Sequence, residues 1–217
     1  MIHILIINNE VIMDLLKQKI RSDGHVIGSE ILKVDSFLNH QVDPKLMQTI
    51  GQEFATLFAN EGITKVVTIE SSGIAPALFT GLQMNIPVIF AKKTESRNLD
   101  SETYHAAVHS FTRGKEYIIR VSKRYLSADD TVLFIDDFLA HGRALMGLLE
   151  IAEQAGARVA GAGIVIEKGF QNGGARVRSM GIRVESLAIV KEMSEEGSMI
   201  TFADRTNSLT HMEEEER

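Results

Sequence analysis

From Val132 to Ala144 the chain reads Val-Leu-Phe-Ile-Asp-Asp-Phe-Leu-Ala-His-Gly-Arg-Ala: a run of apolar residues, two adjacent acids and a turn containing glycine. An apolar run without alternation has no water-facing side, which is the habit of a strand in a parallel sheet covered by helices on both faces. Leu145, Leu148, Leu149 and Ala152 follow at helical spacing and Gly156 supplies a stop, so the strand feeds a helix. Ligands of open α/β sheets bind in the crevice beyond the carboxyl ends of the strands, and Asp136 and Asp137 are expected there. Gly142 lets the backbone approach an anion closely, and the start of the next helix offers unpaired N–H groups at the positive end of its dipole. Carboxylates do not suit contact with that anion. They suit ribose hydroxyls and a hydrated Mg²⁺, so the segment predicts a phosphorylated sugar bound with a metal. An isolated Asp pair at a strand end would do no more than bond its own backbone; the helix and turn tip the reading toward a site.

The rest of the chain fits the same architecture. Asp14 to Arg21 reads as a short helix ended by Asp23-Gly24, and Val26 to Gln41 has no clean period, as in a small irregular subdomain. Asp43-Pro44 is a helix start, followed by the apolar stripe Leu46, Met47, Ile50, Phe54, Leu57 and Phe58 up to Gly62. Ile63 to Ile69, the polar turn Glu70 to Gly73, a helix bearing Ala75, Leu78, Phe79 and Leu82, and Ile86 to Ala91 make a βαβ unit ending in Lys92-Lys93. Thr94 to Glu116 is polar and reads as a mobile lid, with a hairpin of Ala107 to Phe111 and Tyr117 to Val121 across Arg113-Gly114. Val159 to Ile166 is a strand of small residues ending at Glu167-Lys168, and Ser186 to Val190 a last strand. Phe170 reads as core. The polar loops Glu70 to Gly73, Asp136 to Ala144 and Lys168 onward are expected to converge on one crevice.

Composition narrows the class. At 217 residues the chain holds one large domain with a substantial core. A net charge of -6 without a basic run argues against nucleic-acid binding, and no apolar stretch reaches the ~20 residues of a membrane span. The absence of cysteine excludes disulfides and thiolate metal sites and suits a reducing compartment. The organisation expected is an extension over residues 1–12, a domain over 13–205 and a charged tail over 206–217. Ile2 to Val11 reads as an added strand or sequence upstream of the natural start, with Met13 a sensible alternative initiator.

Val132 to Ala144 resembles the phosphoribosyl-pyrophosphate signature of type I phosphoribosyltransferases. With Leu32 to Gln41, Ile69 to Pro76 and Gly163 to Lys168, the chain is similar to the bacterial xanthine phosphoribosyltransferases over roughly Met13 to Phe202. The resemblance implies an α/β fold with a mostly parallel twisted sheet flanked by helices and a small hood built mainly from residues 24–42 plus C-terminal elements. It implies a cytoplasmic homodimer of purine salvage that joins xanthine to 5-phospho-α-D-ribose 1-diphosphate (PRPP), with Mg²⁺ carried by PRPP rather than by protein ligands. Residue by residue, it assigns Ala140, His141, Gly142, Arg143 and Ala144 to the 5-phosphate, Asp136 and Asp137 to the ribose hydroxyls as the catalytic acids, and Leu32, Asn39 and Lys168 to the purine. Ser71 to Gly73 resemble the pyrophosphate loop, and Lys92 and Lys93 are candidates to reach pyrophosphate. Relatives commonly read Ala-Asn-Gly-Gln where this chain has Ala-His-Gly-Arg, and many related purine enzymes carry arginine at the position of Ser72. The alternatives are a guanine/hypoxanthine transferase, an adenine or orotate enzyme, and a non-catalytic purine or PRPP sensor.

Overall fold

The structure is a computed structural model that describes residues 9–93, 102–110, 115–194 and 199–203. In chain order it runs α1 (Asn9–Asp23), β1 (His25–Ile27), β2 (Ile31–Lys33), a π-helical turn (Asp35–Asn39), α2 (Pro44–Leu57), β3 (Lys65–Ile69), α3 (Ile74–Met84) and β4 (Val88–Ala91). There follow β5 (Thr103–Ser110), β6 (Lys115–Ser122), β7 (Thr131–Leu139), α4 (Arg143–Ala155), β8 (Arg158–Lys168), α5 (Gly173–Arg178), β9 (Val184–Ser194) and β10 (Met199–Phe202). The central sheet has the order β10-β9-β8-β7-β3-β4, parallel except for β10 at its edge.

That order creates the site. β3 leaves through α3 for β4 on one side, whereas its neighbour β7 leaves through α4 for β8 on the other. The chain departs in opposite directions from two adjacent parallel strands, and the crevice between their carboxyl ends is where such sheets take ligands.

The unbroken apolar run of β7 is buried on both faces. Leu133 and Ile135 pack with Met47, Ile50 and Phe54 of α2 and Ala77 of α3. Val132 and Phe134 pack with Leu145, Leu148 and Ile151 of α4. At ~1.5–3 kcal/mol for each large side chain removed from water, these layers hold the strand ends rigidly. The helix ends follow their expected chemistry: Asp43 accepts from the N–H groups of Lys45 and Leu46 at 3.1 and 3.2 Å, and Gly156 closes α4 in the left-handed region with φ 71°. Glycines in β8 let α2 lie directly on the sheet, for a Cβ at Gly163 would come within 2.6 Å of the Phe54 ring.

Several expectations are corrected. β7 continues to Leu139, paired with β8 as far as Glu167, so Asp136 and Asp137 sit at its carboxyl end as expected but with two more strand residues after them. The stretch 103–122 is a longer and better anchored hairpin than its polar composition suggested, paired from Thr103↔Ser122 to Ser110↔Lys115. Ala106, Val108, Ile119 and Val121 are buried against α4, and the side-chain amide of Gln154 both accepts from the His105 N–H (3.2 Å) and donates to its carbonyl (2.7 Å), as a neighbouring strand would. α1 begins at Asn9, so the end of the presumed added strand Ile2 to Val11 is helical. α2 ends at Leu57 and not at Gly62, which sits in the turn beyond with φ +64°. Phe170 is 38% exposed rather than core. α5 and β10 were not foreseen, and the tail over 206–217 lies outside the described residues. No described helix is long and apolar enough to cross a membrane.

Candidate active site

A cleft of about 410 Å³ lies over the carboxyl end of β7. It is lined by Asp136, by all of Ala140 to Ala144 and by Lys168, so three of the sequence-expected groups share one cavity. Val108, His109 and Tyr117 of the β5–β6 hairpin form one wall, and Glu30 and Ile31 of the β1–β2 hairpin another.

The loop after β7 turns on Gly142, whose φ of 75° is in the left-handed region and whose carbonyl accepts from the Met146 N–H at 2.9 Å to begin α4. The first N–H groups of α4 have no intrahelical acceptor, and the N-cap, Gly142, has no side chain to bond them, which points backbone N–H groups and a positive dipole end at the cleft. The loop is braced from below by α5. Gly173 donates its N–H to the Ala140 carbonyl at 3.1 Å, and a Cβ there would stand 2.1 Å from that oxygen. A Cβ at Gly174 would fall 1.9 Å from Glu167 Oε1, so only a Gly-Gly pair permits this approach. Glu167 is buried and ion-paired through two hydrogen bonds with Arg178 (2.9 and 2.8 Å), and Ser186 donates to it. It pins α5 while the next residue, Lys168, lines the cleft.

Asp136 is 9% exposed and its carboxyl is held well above the usual carboxylate range, first by burial and then by the charge of Asp137, with Lys93 acting in the opposite sense. Gly73, at the head of α3, gives it room: a Cβ there would lie 2.9 Å from Asp136 Oδ1 and 2.2 Å from Thr68 Oγ1. The Glu70–Ser71 peptide in this loop is cis. The Asp137 N–H donates to Asp136 Oδ1 at 3.1 Å, and Asp137 Oδ2 accepts from Asn39 Nδ2 at 3.1 Å. This bond joins positions 98 residues apart and ties the π-helical turn Asp35–Asn39 to the acid pair. Burial, and the charge of Asp136, push the Tyr117 phenol up.

Lys168 is half-buried, donates to the Glu30 carbonyl at 2.6 Å and lies 5.8 Å from the Phe138 ring centre. Burial lowers its ammonium from the ordinary value, Glu30 opposing. The structure separates the two lysines after β4. Lys93 stands 5.2 Å over the Tyr117 ring and acts on Asp136, whereas Lys92 bridges to Arg120 and lines a different groove. Leu32 is 6% exposed and packs in the core with Val26, so its side chain lies in the core and is not among those lining the cleft.

Among the described residues no three carboxylate or histidine side chains gather as a metal cage. Mg²⁺ keeps several waters and travels with substrate phosphates, so a pair of acids beside the cleft suits its hydrated shell rather than a protein cage. Asp136 and Asp137 fit that arrangement.

The family model that matches is "Phosphoribosyl transferase domain", over residues 34–192. The chain is 56% identical over 192 residues to a xanthine phosphoribosyltransferase of Ruminiclostridium cellulolyticum, covering 88% of this chain and 100% of that protein. It is 60% identical over 183 residues to that of Oceanobacillus iheyensis, covering 84% and 94%. Among solved structures, the adenine phosphoribosyltransferase of Rhodothermus marinus superposes with a TM-score of 0.66 at 21% identity, over 82% of this chain and 98% of that one. The Saccharomyces cerevisiae adenine enzyme gives 0.64 at 19%, over 80% and 99%. At such identities the structural likeness speaks for the fold alone.

Proposed function

The chain belongs to the phosphoribosyltransferase family, and we propose that it joins xanthine to PRPP, releasing xanthosine 5'-monophosphate and pyrophosphate. The observation that carries the reading is the single cleft shared by the loop Ala140 to Ala144, Asp136 and Lys168, combined with 54–60% identity to xanthine phosphoribosyltransferases.

In this reading the 5-phosphate rests on the backbone N–H groups of the loop and the start of α4, where the helix dipole favours an anion. His141 and Arg143 add side-chain donors to that oxyanion. The acid pair accepts from the ribose hydroxyls, with Asn39 orienting Asp137 through its 3.1 Å bond. The backbone of Ser71 to Gly73 faces the pyrophosphate. Lys168, kept half-buried and partly stripped of water, donates to the oxygen and N7 edge of the purine. Breaking the ribose C1–pyrophosphate bond leaves an oxocarbenium-like centre, so positioning and charge stabilisation do most of the work. Mg²⁺ held by PRPP beside Asp136 and Asp137 would neutralise the departing pyrophosphate. We further propose a cytoplasmic homodimer.

The test is to mix the purified chain with PRPP, Mg²⁺ and each purine base in turn and measure pyrophosphate release. Turnover is expected with xanthine foremost. No release with any base would sink the reading, and a preference for guanine or hypoxanthine would overturn the substrate while leaving the reaction class.

A further inference from the structure

Gln171 lies three residues beyond Lys168, in the turn where its N–H donates to the Lys168 carbonyl at 2.9 Å. Both side chains line the same cleft. The Gln171 amide oxygen is buried and, among the described residues, has no hydrogen-bond donor. Buried acceptors are seldom left unpaired, because desolvation without a partner is costly; on a residue that lines a ligand cleft, such an acceptor is one side-chain rotation away from a donor on the ligand.

The chemistry of the cleft says which part of the ligand that is. Phosphate and pyrophosphate oxygens are acceptors and would repel an amide oxygen, and the ribose hydroxyls already face Asp136 and Asp137. The donors left are the ring N–H groups of the base. Lys168, the neighbour of Gln171 on the same turn, supplies an ammonium donor. A donor beside an acceptor matches a ring edge on which a carbonyl stands beside an N–H. A 6-oxopurine presents that pair at C6 and N1, whereas a 6-aminopurine presents the reverse, an amino donor beside a bare nitrogen.

We propose that Gln171 is a specificity-determining residue whose amide oxygen accepts the ring N–H next to the carbonyl addressed by Lys168, so that the pair admits oxopurines and rejects aminopurines. The inference rests on the purine-transferase reading above.

The experiment uses the full chain and two variants, Gln171→Met, which removes the acceptor, and Gln171→Glu, which keeps one at the same length. In Gln171→Met the KM for xanthine and for hypoxanthine should both rise about 10- to 100-fold, the scale for leaving a ligand donor unpaired. KM for PRPP should stay within about twofold. The ratio of xanthine to adenine turnover should narrow, and the free protein should melt no lower than wild type, since an unpaired buried acceptor has been removed. Gln171→Glu should stay closer to wild type in its KM for the base. An unchanged base KM, a rise confined to or larger for PRPP, or a Gln171→Glu as weak as Gln171→Met would overturn the assignment. Wild-type turnover run alongside separates the outcomes, for its absence would fell the underlying activity and not the role of Gln171.

Discussion

The two ends of β7 carry aspartates in opposite circumstances. Asp130, just before the strand, accepts from Lys65 Nζ at 2.8 Å, Thr64 Oγ1 at 3.0 Å and the Ser127 N–H at 2.9 Å. Burial pushes its carboxyl up, but those donors outweigh it and hold it below the ordinary value. Asp136, six residues on, is buried beside another acid and held well above the ordinary value. One carboxylate is met by three donors and serves the fold; the other has the Asp137 N–H and a second acid for neighbours beside the cleft, where the proposed sugar and hydrated cation would add partners. Six residues apart on one stretch of chain, donors prevail over burial at Asp130 and burial prevails at Asp136.

The strongest way to break this contrast is Asp136→Asn together with Asp137→Asn. Turnover should fall by at least about 100-fold, the scale of losing a preorganised polar contact in a transition state, while the melting temperature does not fall below wild type. Activity that survived in the double variant would reduce the acids to strand-end caps.

Asp130→Asn should show the converse. Removing one partner of a largely buried pair strands Lys65, so stability should drop by ~2 kcal/mol, about 4–8 °C in melting for a domain of this size, with kcat and KM essentially kept. Denaturant melts and steady-state kinetics on the same preparation check both halves.

The smallest effect, and the sharpest in sign, is in pH. A carboxyl whose folded pKa is lowered contributes stability that is present above its unfolded pKa of ~3.9 and lost as pH falls through the folded value, as expected for Asp130. A carboxyl whose folded pKa is raised contributes stability that is present below ~3.9 and lost as pH rises through the folded value, as expected for Asp136. In thermal melts of the free protein, Asp136→Asn should therefore gain on wild type as pH rises from acid to neutral, and Asp130→Asn should lose. Parallel pH profiles for the two variants would erase the distinction.

Much of this was legible in the sequence, and the physics explains where legibility ended. β7, α4 and their junction were readable because an unbroken apolar run and a helical stripe have few other folds open to them. The convergence of the loops after β3, β7 and β8 followed from parallel strands sharing one sheet end. The hairpin over 103–122 is hard to see in the sequence because its buried face is only four modest residues, Ala106 and Val108 on one strand and Ile119 and Val121 on the other, and its partner, Gln154, lies distant in sequence. The brace beneath the loop Ala140 to Ala144 is hidden for a related reason. Nothing local in Asn172-Gly173-Gly174 announces a brace, and only the Ala140 carbonyl and Glu167 carboxylate pressed against it reveal that the glycines are there for closeness. The burial of Leu32 beside Val26 belongs to packing that no local pattern announces. Gln171 carried no sequence signal, since an unpaired acceptor is visible only once its surroundings are known.

The Gln154 clasp has a mechanical meaning. α4 is a rod of about 20 Å whose first residue, Arg143, stands at the anion loop and whose last turn grips the hairpin at His105. Wall and floor of the cleft are thus mounted on one beam. A designer wishing to move this sugar-phosphate cradle to another sheet would have to transplant residues 103–155 as a single cassette, because cutting between hairpin and helix would leave the loop with its frame but without its side.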